Sequence, residues 1–564
     1  MSEPHDVVII GPGAIGLALA RYINKDGKSV GVVGRKKWVD VLGDKGIEFI
    51  RFKGESLEEK DHCYPNERFE FYSDDGNTLE DLKSRGLKDD GLIILASKTP
   101  NLEEIVGLAE GVIYPKARQK VLMIQNGIRP ELRVQRRLKE QYDGISERLV
   151  SGIVMASMTI TDFRTPTIKY GIANICLGSW EDFDIRKDSI LAVENLLKRA
   201  AYGRAEVAVA ADQDDYRLKR FEKAALNGAN VLSTIFDAKV GDLFDHTLTN
   251  QTMRQKLEEA VRVANSEVID IDINSLRKKA AYTYDTIVRK HFASMAQDLQ
   301  IVRNNPERLL ITEIEDLDLA FAEIGKSHGI ETPFNLFYGG IMEDFTLAYN
   351  MLKCTNPERA EEFAKEFIET NRRSAGFEGE IGRTTIEKLT RQLENGLQEL
   401  KGKYLGNLSK SIDYPYNLSD ITEREKLNIL VVDDEHGLAR IHAKHLESML
   451  KENAELRFIY DIAIRPAYSA QEAIDIAKEN HIAVVIADEV MPGKKGHEMK
   501  PYFSPSTALI IYSARASEND RKEIRRSGCQ EYISKQYHGI EEIADAALVG
   551  IRYYEEMKAK DLMI

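Results

Sequence analysis

Short apolar runs that end in glycine or polar residues recur at both ends of the chain. They cover residues 6–10, 29–33, 92–96, 121–124, 429–432, 483–487, 509–512 and 532–534. Runs of this length are typical of parallel strands that are buried on both faces. Between the two groups, apolar residues recur instead at helical spacing. The pattern therefore predicts a multidomain α/β chain, with one α/β domain at each end and a helical region between them.

A glycine-rich turn directly follows the first of these strands, and a helix is predicted after it from Leu17 to Asn24. The turn reads Gly11-Pro12-Gly13-Ala14-Ile15-Gly16. A turn of this kind between a strand and a helix is the dinucleotide-binding fingerprint in its required context. Its glycines permit a tight turn and a close approach of the pyrophosphate, and the helix N-terminus faces the phosphates. We expect an N-terminal Rossmann domain.

The end of the second strand indicates which dinucleotide binds. Folds that bind NAD place an acidic residue there, whereas this chain continues with Gly34-Arg35 and two lysines. A guanidinium pairs well with a 2′-phosphate, so the sequence favours NADPH. The alternative is a solvated basic turn. Two further strands end at Ser97-Lys98 and Gln125-Asn126-Gly127, and we expect Lys98 and Asn126 to enter the same crevice.

Two later segments, Gly152–Thr161 and Ile168–Gly178, are predicted to close the first domain as a pair of strands. Beyond residue 185 the spacing becomes helical. In a predicted helix from Phe221 to Phe236, the polar residues fall on one stripe formed by Lys223, Asn227, Asn230 and Thr234. A lysine on a mostly apolar helix is costly to bury unless it meets a partner or a ligand. The stripe is therefore predicted to face a cleft rather than solvent.

The order of these signals resembles the ketopantoate reductase family over about residues 5–345. The matching pieces are the fingerprint, Gly34-Arg35, Ser97-Lys98, Gln125-Asn126-Gly127, Lys223 with Asn227, Ser294-Met295 with Gln297-Asp298, Thr312-Glu313-Ile314, His328-Gly329-Ile330 and Thr332-Pro333. In that family NADPH reduces the ketone of a 2-oxo acid. The resemblance implies that Lys223 is the general acid and that Glu313 positions the substrate. It also implies that Asn227, Asn230 and Ser294 bind the substrate.

The chemistry of reduction suits these residue types. Hydride delivery to a ketone leaves an alkoxide, which needs a cationic proton donor such as Lys223 within reach. Glu313 lies in a charge-rich stretch, so a solvated surface role is the alternative for it. The substrate is ketopantoate or a different small 2-oxo acid. A competing hypothesis is a signalling protein whose reductase-like half senses NADPH or a metabolite without catalysis.

A segment without a counterpart in a minimal reductase follows. Its apolar residues from Ile386 to Leu405 recur at near-helical spacing, which predicts an amphipathic helix. This helix is expected either to pack against the reductase or to form a short dimerising coiled coil. We expect a homodimer.

Four separate pieces at the end of the chain predict a phospho-acceptor pocket. The acidic pair Asp433–Asp434, Asp488, Ser513 and Lys535 each follow one of the last four apolar runs. Side chains at the carboxyl ends of parallel strands converge on one crevice, where three carboxylates would bind Mg²⁺. Ser513 and Lys535 would then contact a phosphoryl group on Asp488. This stretch resembles the receiver domain of bacterial response regulators, which implies a flavodoxin-like (βα)5 fold and a sensor histidine kinase or phosphotransfer protein as partner.

Composition narrows the remaining possibilities. The 564 residues exceed what one core can hold, and the net charge of −14 argues against a nucleic-acid partner. The four cysteines lie far apart, no apolar run nears membrane length, and the start lacks a basic leader, so we expect a cytoplasmic protein without membrane contact. The expected parts are a Rossmann domain (1–180), an all-helical substrate domain (181–375), a helical linker (376–426) and a receiver domain (427–564).

Overall fold

A computed structural model provides the structure of the chain. It describes all residues except 1–2, 54–55, 67, 74–75, 99–105, 110–117, 129, 143, 156–157, 163–165, 171–172, 181–187, 203–204, 268, 306–307, 378–384, 407–424, 514–522, 525, 535–539 and 562–564. The chain divides into two compact units. The first contains residues 1–276 and 286–420, and the second contains residues 277–285 and 421–564.

In the described part of the chain, the strands form three sheets. The first sheet has the order β12-β11-β8-β7-β6-β1-β2-β5, the second β4-β3-β10-β9, and the third β14-β13-β15-β16-β17. The strands are β1 (His5–Ile10), β2 (Val30–Gly34), β3 (Ile47–Lys53), β4 (Ser56–Cys63), β5 (Phe69–Ser73), β6 (Leu87–Leu95), β7 (Lys120–Met123), β8 (Leu149–Met155), β9 (Met158–Asp162), β10 (Thr167–Tyr170), β11 (Ala173–Gly178), β12 (Ala205–Val209), β13 (Glu425–Val432), β14 (Tyr460–Ala467), β15 (Val484–Ala487), β16 (Ala508–Ser513) and β17 (Glu531–Ser534).

The helices lie mainly in the middle of the chain. In chain order they are α1 (Ala14–Lys25), α2 (Lys36–Lys45), α3 (Gly76–Arg85), α4 (Pro130–Gln141), α5 (Asp188–Ala200), α6 (Gln213–Leu226), α7 (Ala229–Phe236), α8 (Val240–Asp245), α9 (Thr247–Ser266), α10 (Ile273–Tyr282), α11 (Ser294–Arg303), α12 (Asp318–Ser327), α13 (Pro333–Thr355), α14 (Pro357–Ala375), α15 (Ile386–Leu405), α16 (His436–Glu452), α17 (Ala454–Ile459), α18 (Ala470–Glu479) and α19 (Ile540–Asp561).

The first sheet is parallel at its centre, where β1 pairs with both β2 and β6. Its apolar strand residues point alternately to two cores, one on each face, so both faces are covered. The strand order reverses at β1, and the crevice at such a switch point opens at the carboxyl ends of the strands. Strand β1 ends there at Ile10, next to the glycine-rich turn.

Two sequence predictions about this region were wrong in detail. The segments 152–161 and 168–178 do pair in antiparallel fashion, but each is divided between two sheets. Their inner halves, β8 and β11, extend the first sheet, whereas β9 and β10 join β3 and β4 in the second. In addition, the part beyond residue 180 is not entirely helical, because β12 pairs with β11 at the sheet edge.

The predicted helix from Phe221 to Phe236 is also interrupted. Helix α6 ends at Leu226, and α7 begins at Ala229 after a turn at Asn227 and Gly228. A Cβ atom on Gly228 would lie 3.5 Å from the Lys256 side chain of α9. This is an ordinary van der Waals separation, so α9 packs against the interruption without crowding it.

Helix α15 packs against neighbouring helices of its own unit. Its apolar residues, which predicted an amphipathic helix, are buried against α13 and α14. Lys401 of α15 donates two hydrogen bonds, of 2.6 and 2.7 Å, to the carboxylate of Asp344 on α13, and both side chains are buried. The packing and the buried ion pair agree with the first of the two roles considered for this helix.

The third sheet is entirely parallel, and its order places β13 between β14 and β15. This is the flavodoxin-like order, with its switch point at the carboxyl ends of β13 and β15. Both faces of the sheet are covered by apolar cores. The mixed α/β architecture predicted from the apolar runs is confirmed. No helix in the described part of the chain combines the length and the apolar character needed to cross a membrane.

Candidate functional site

The glycine-rich turn after β1 leaves no room for side chains at two positions. Gly11 has a φ of 107°, and a Cβ atom there would lie 2.6 Å from the backbone nitrogen of Ser97. A Cβ atom on Gly16 would lie 2.2 Å from the carbonyl oxygen of Gly11, so α1 could not approach the strand with any larger residue. The hydroxyl of Ser97 is buried and makes no hydrogen bond within the described structure. These residues fit a dinucleotide, because the turn is open to phosphate and Ser97 offers a polar atom.

Arg35 lies where β2 leads into α2 and forms the N-cap of that helix. The ring nitrogen of Trp38, in the first turn of α2, donates a 2.9 Å hydrogen bond to the carbonyl oxygen of Pro12. The second strand is thereby held beside the glycine-rich turn. This places Arg35 at the same sheet edge as Gly11, Pro12, Gly13, Ala14, Ile15 and Gly16, as the sequence predicts for a cofactor-binding group.

Lys98 follows β6 and forms an ion pair with Asp298 of α11. The two residues are 200 positions apart in the sequence. Burial, together with the positive charge of Arg308, lowers the pKa of Lys98 to about 8, and the carboxylate of Glu313 partly opposes that change. Asp298 was not among the predicted site residues. The only signal for it was its place beside Gln297 in the family resemblance.

The centre of the site is a chain of hydrogen bonds between three predicted residues. The Nζ atom of Lys223 donates to Asn126 Oδ1 at 2.8 Å, and Asn126 Nδ2 donates to Glu313 Oε2 at 3.0 Å. Lys223 also donates to the carbonyl oxygen of Val154. Glu313 is 7% exposed, so a solvated surface role does not apply to it. The three side chains come from α6, the loop after β7 and the segment before α12.

The electrostatic environment of Lys223 makes its proton easier to lose. Burial, together with the positive charge of Arg220, lowers the pKa of Lys223 to about 8, and Glu313 partly opposes that change. A general acid works best when its pKa lies near the working pH, because protonation and proton transfer are then both favourable. The site therefore holds an ammonium group that can donate a proton near neutral pH.

The other members of the polar stripe separate at the helix interruption. Asn230 of α7 donates a 3.2 Å hydrogen bond to the hydroxyl of Ser294 at the start of α11. Asn227 lies at the turn between α6 and α7 and is partly buried. Thr234 instead donates to the backbone oxygen of Asn230 and is buried. The structure thus brings Asn230 and Ser294 together, whereas Thr234 has a local backbone role.

A separate contact holds Asp316, three residues after Glu313, against the Rossmann domain. One guanidinium nitrogen of Arg133 on α4 lies 2.5 and 2.7 Å from the two carboxylate oxygens of Asp316. The backbone nitrogen of Ile128 donates to the carbonyl oxygen of Asp316 at 3.1 Å. Burial raises the pKa of Asp316 to about 6, with Arg133 opposing. The sequence signalled neither Arg133 nor Asp316 as site residues.

The second unit contains the predicted acidic pocket at the switch point of its sheet. Carboxylate oxygens of Asp433, Asp434 and Asp488 all lie within 4.8 Å of one another. Asp433 and Asp488 each accept a hydrogen bond from a backbone nitrogen two residues ahead, at 2.9 and 3.3 Å. Three oxygen donors at this spacing fit Mg²⁺, which prefers carboxylate and water ligands.

Two further residues were predicted for the same pocket. Ser513 ends β16, the strand next to β15, and is 1% exposed. Its neighbour Ser534 ends β17 in register with it. Lys535, the predicted phosphoryl contact, lies outside the described residues. The order Asp433, Asp488, Ser513 along adjacent strand ends follows the sequence prediction.

Comparison with known proteins assigns these parts to families. The model described as ketopantoate reductase PanE/ApbA matches residues 7–178, and the model described as ketopantoate reductase PanE/ApbA C terminal matches residues 215–342. The model described as response regulator receiver domain matches residues 429–547. The transcriptional regulatory protein SrrA of Staphylococcus aureus (strain NCTC 8325) is 32% identical over 111 residues, which are 19% of this chain. The chain spans 42% of the length of that regulator.

Solved structures similar to the chain cover more than half of its length. A ternary complex of D-mandelate dehydrogenase with NADH and anilino(oxo)acetate is 20% identical, with a TM-score of 0.47, over 59% of this chain and 96% of that one. The putative 2-dehydropantoate 2-reductase from Enterococcus faecalis is 22% identical, with a TM-score of 0.41, over 63% of this chain and 99% of that one. On the family models, the chain belongs to the ketopantoate reductase family and carries a C-terminal response regulator receiver domain.

Proposed function

We propose that the first unit is an NADPH-dependent reductase of small 2-oxo acids, ketopantoate among them, and that the receiver domain regulates it. The observation that carries the proposal is the hydrogen-bonded series Lys223–Asn126–Glu313, whose Asn126 follows β7 of the same sheet that carries the dinucleotide turn after β1. A bound NADPH supplies the hydride for the carbonyl carbon. Lys223 then donates its proton to the carbonyl oxygen, so that the ketone becomes a hydroxyl group.

The remaining residues support binding and orientation. Asn126 accepts from Lys223 and donates to Glu313, so it holds the ammonium and the carboxylate in a fixed relation. Asn230 and Ser294 form a neutral donor pair, which suits a substrate carboxylate or hydroxyl. Asn227, which lies at the turn between α6 and α7, is assigned to the substrate from the family resemblance.

The proposal is tested by NADPH oxidation with the full chain against a panel of 2-oxo acids that includes ketopantoate. We expect at least one branched 2-oxo acid to be reduced to its 2-hydroxy acid, identified by mass spectrometry. The D-mandelate dehydrogenase similarity makes an aromatic 2-oxo acid a useful member of the panel. If NADPH binds but no member is reduced, the alternative of a non-catalytic NADPH or metabolite sensor replaces the reductase.

Cofactor choice gives a separate prediction. Arg35→Asp removes a charge-assisted pair with the 2′-phosphate and adds repulsion, so we expect the preference for NADPH over NADH to shrink by about 2–3 kcal/mol. Dissociation constants for both cofactors, measured by fluorescence titration, give this value. Lys45→Asp at the opposite end of α2 is the matched control with the same charge change, and it should leave the preference intact. Equal affinity of the parent protein for NADPH and NADH would contradict the assignment.

For the second unit we propose that a histidine kinase or phosphotransfer protein delivers a phosphoryl group to Asp488. Asp433, Asp434 and Asp488 would hold Mg²⁺, and Ser513 and Lys535 would contact the phosphoryl oxygens. The spacing of the three carboxylates and the burial of Ser513 support this assignment. We further propose that phosphorylation changes the activity or the oligomeric state of the reductase, which we expect to be a homodimer.

A further inference from the structure

A buried arginine lies one helical turn before Lys223. Arg220 is 3% exposed, and its guanidinium donates to the carbonyl oxygen of Gln125 and to the carboxylate of Glu131, each at 2.9 Å. Glu131 is completely buried and also accepts a 3.1 Å hydrogen bond from Tyr216. Neither the family signals nor the polar stripe drew attention to this pair.

The first consequence of the pair is mechanical. Gln125 directly precedes Asn126, the residue that joins Lys223 to Glu313. Its backbone oxygen is held by Arg220, and its side chain donates to the Leu95 oxygen at 2.9 Å. Arg220 therefore links α6, which carries Lys223, to the loop that carries the partner of Lys223.

The second consequence is electrostatic. An arginine side chain stays protonated throughout the accessible pH range, so Arg220 supplies a constant positive charge near the Lys223 ammonium. The charged groups that act on Lys223 are Arg220 from its own helix and Glu313 from the segment before α12. Arg220 in turn faces the carboxylates of Glu131, on α4, and of Asp316, and both favour its charged form. The remaining contacts of Lys223 are uncharged oxygens of Asn126 and Val154.

A purely structural role would not require this placement. A buried ion pair is seldom more stable than apolar residues of the same volume, because both charges lose their hydration. We propose that Arg220, held by Glu131, is a positioning residue for Lys223 that fixes the Gln125–Asn126 loop and favours release of the lysine proton. The inference rests on the proposed reductase function, in which Lys223 is the proton donor. Its direct test measures the pKa of Lys223 and does not require turnover.

The test measures the titration of Lys223 itself. Trace acetic anhydride labels only the neutral amine, so labelling of Lys223 against pH, followed by mass spectrometry of the full chain's peptides, reports its pKa. In the parent protein we expect the midpoint near the value of about 8. In Arg220→Gln we expect the pKa to rise by about one unit, which leaves roughly tenfold less reactive amine at pH 7. Arg220→Lys keeps the charge and should retain a midpoint near that of the parent.

A second variant covers the possibility that Arg220→Gln fails to fold, since it leaves Glu131 buried without its partner. Arg220→Gln/Glu131→Gln removes both charges, and we expect it to fold with a smaller rise, about threefold in reactive amine at pH 7. An unchanged Lys223 midpoint in a folded charge-removing variant would overturn the proposal.

In the active enzyme, the pH at which kcat/KM declines should move with the Lys223 midpoint. A loss of activity without a shift of that pH profile would also overturn the proposal. A parent protein that reduces no 2-oxo acid would refute the proposed function, while the labelling result would still decide the role of Arg220.

Discussion

Replacing Lys223 with alanine is expected to lower turnover with a 2-oxo acid by about 10²–10⁴-fold, which is the usual contribution of a positioned general acid. The alkoxide that forms on the substrate would lose its proton donor, whereas the glycine-rich turn and Arg35, which we expect to contact the dinucleotide, would be unchanged. NADPH affinity should therefore stay within about threefold of the parent value. Steady-state kinetics and a fluorescence titration of NADPH measure the two quantities on the same protein.

Lys219→Ala provides the matched control for this variant. Lys219 lies one turn earlier on α6, is 39% exposed and pairs with Asp215 rather than with a site residue. Its removal makes the same change in charge and in helix composition, and activity should change by less than about twofold. An active parent whose turnover hardly changes in Lys223→Ala would show that the lysine holds the structure together and that another group donates the proton.

The second large effect is expected at the receiver domain. Acetyl phosphate with Mg²⁺ should label the parent protein, and Asp488→Asn should abolish the labelling because the amide cannot form the acyl phosphate. Asp475→Asn is the control, since Asp475 is an exposed carboxylate on α18 that pairs with Lys478. Intact-mass spectrometry under mild acid counts the phosphoryl groups. Labelling that persists in Asp488→Asn would place the acceptor at another residue.

The consequence for the reductase is measured in the same samples. A modification can shift the reductase only through a difference in contacts between two receiver states, and such couplings amount to about 1–3 kcal/mol. We expect a change in catalytic rate, substrate affinity or oligomeric state in the labelled parent and not in Asp488→Asn. Clean labelling of Asp488 without any of these changes would mean that the receiver signals to another protein.

The sequence was informative where a local pattern has one physical solution. The apolar runs of the third sheet lead directly to strands whose ends carry Asp433, Asp488 and Ser513, because parallel strands bring such ends together. The turn from Gly11 to Gly16 was equally specific. Glycine is required at these two positions because a Cβ atom on Gly16 would meet the carbonyl oxygen of Gly11, and one on Gly11 would meet Ser97 after the neighbouring strand.

Strand β4 of the second sheet escaped prediction because it is not apolar. Strand β4 reads Ser-Leu-Glu-Glu-Lys-Asp-His-Cys, which contains neither an apolar run nor a regular alternation. The strand forms because β3 pairs along its whole length and because Asp61 accepts hydrogen bonds from Arg21 on α1. Such tertiary contacts decide strand formation and cannot be read from local composition.

The helix interruption at Asn227 and Gly228 was hidden for a related reason. Apolar residues continue across it at helical spacing, and Gly228 itself has a helical backbone with a φ of −56°. The centre of the site was hidden because its members are far apart in the sequence, with Asn126 and Glu313 separated by 187 positions. From the sequence, only the resemblance to a family predicted that Lys223, Glu313 and Ser294 share one site.

The turn between α6 and α7 also affects how relatives of this chain should be aligned. Counting residues along a helix assigns each one a direction only while the helix continues. Lys223 and Asn230 lie on opposite sides of the turn, so the number of residues between them does not fix the angle between their side chains. A relative whose turn is one residue longer or shorter can therefore keep both side chains in the site. Alignments that score the two helices as independent blocks would recognise such relatives.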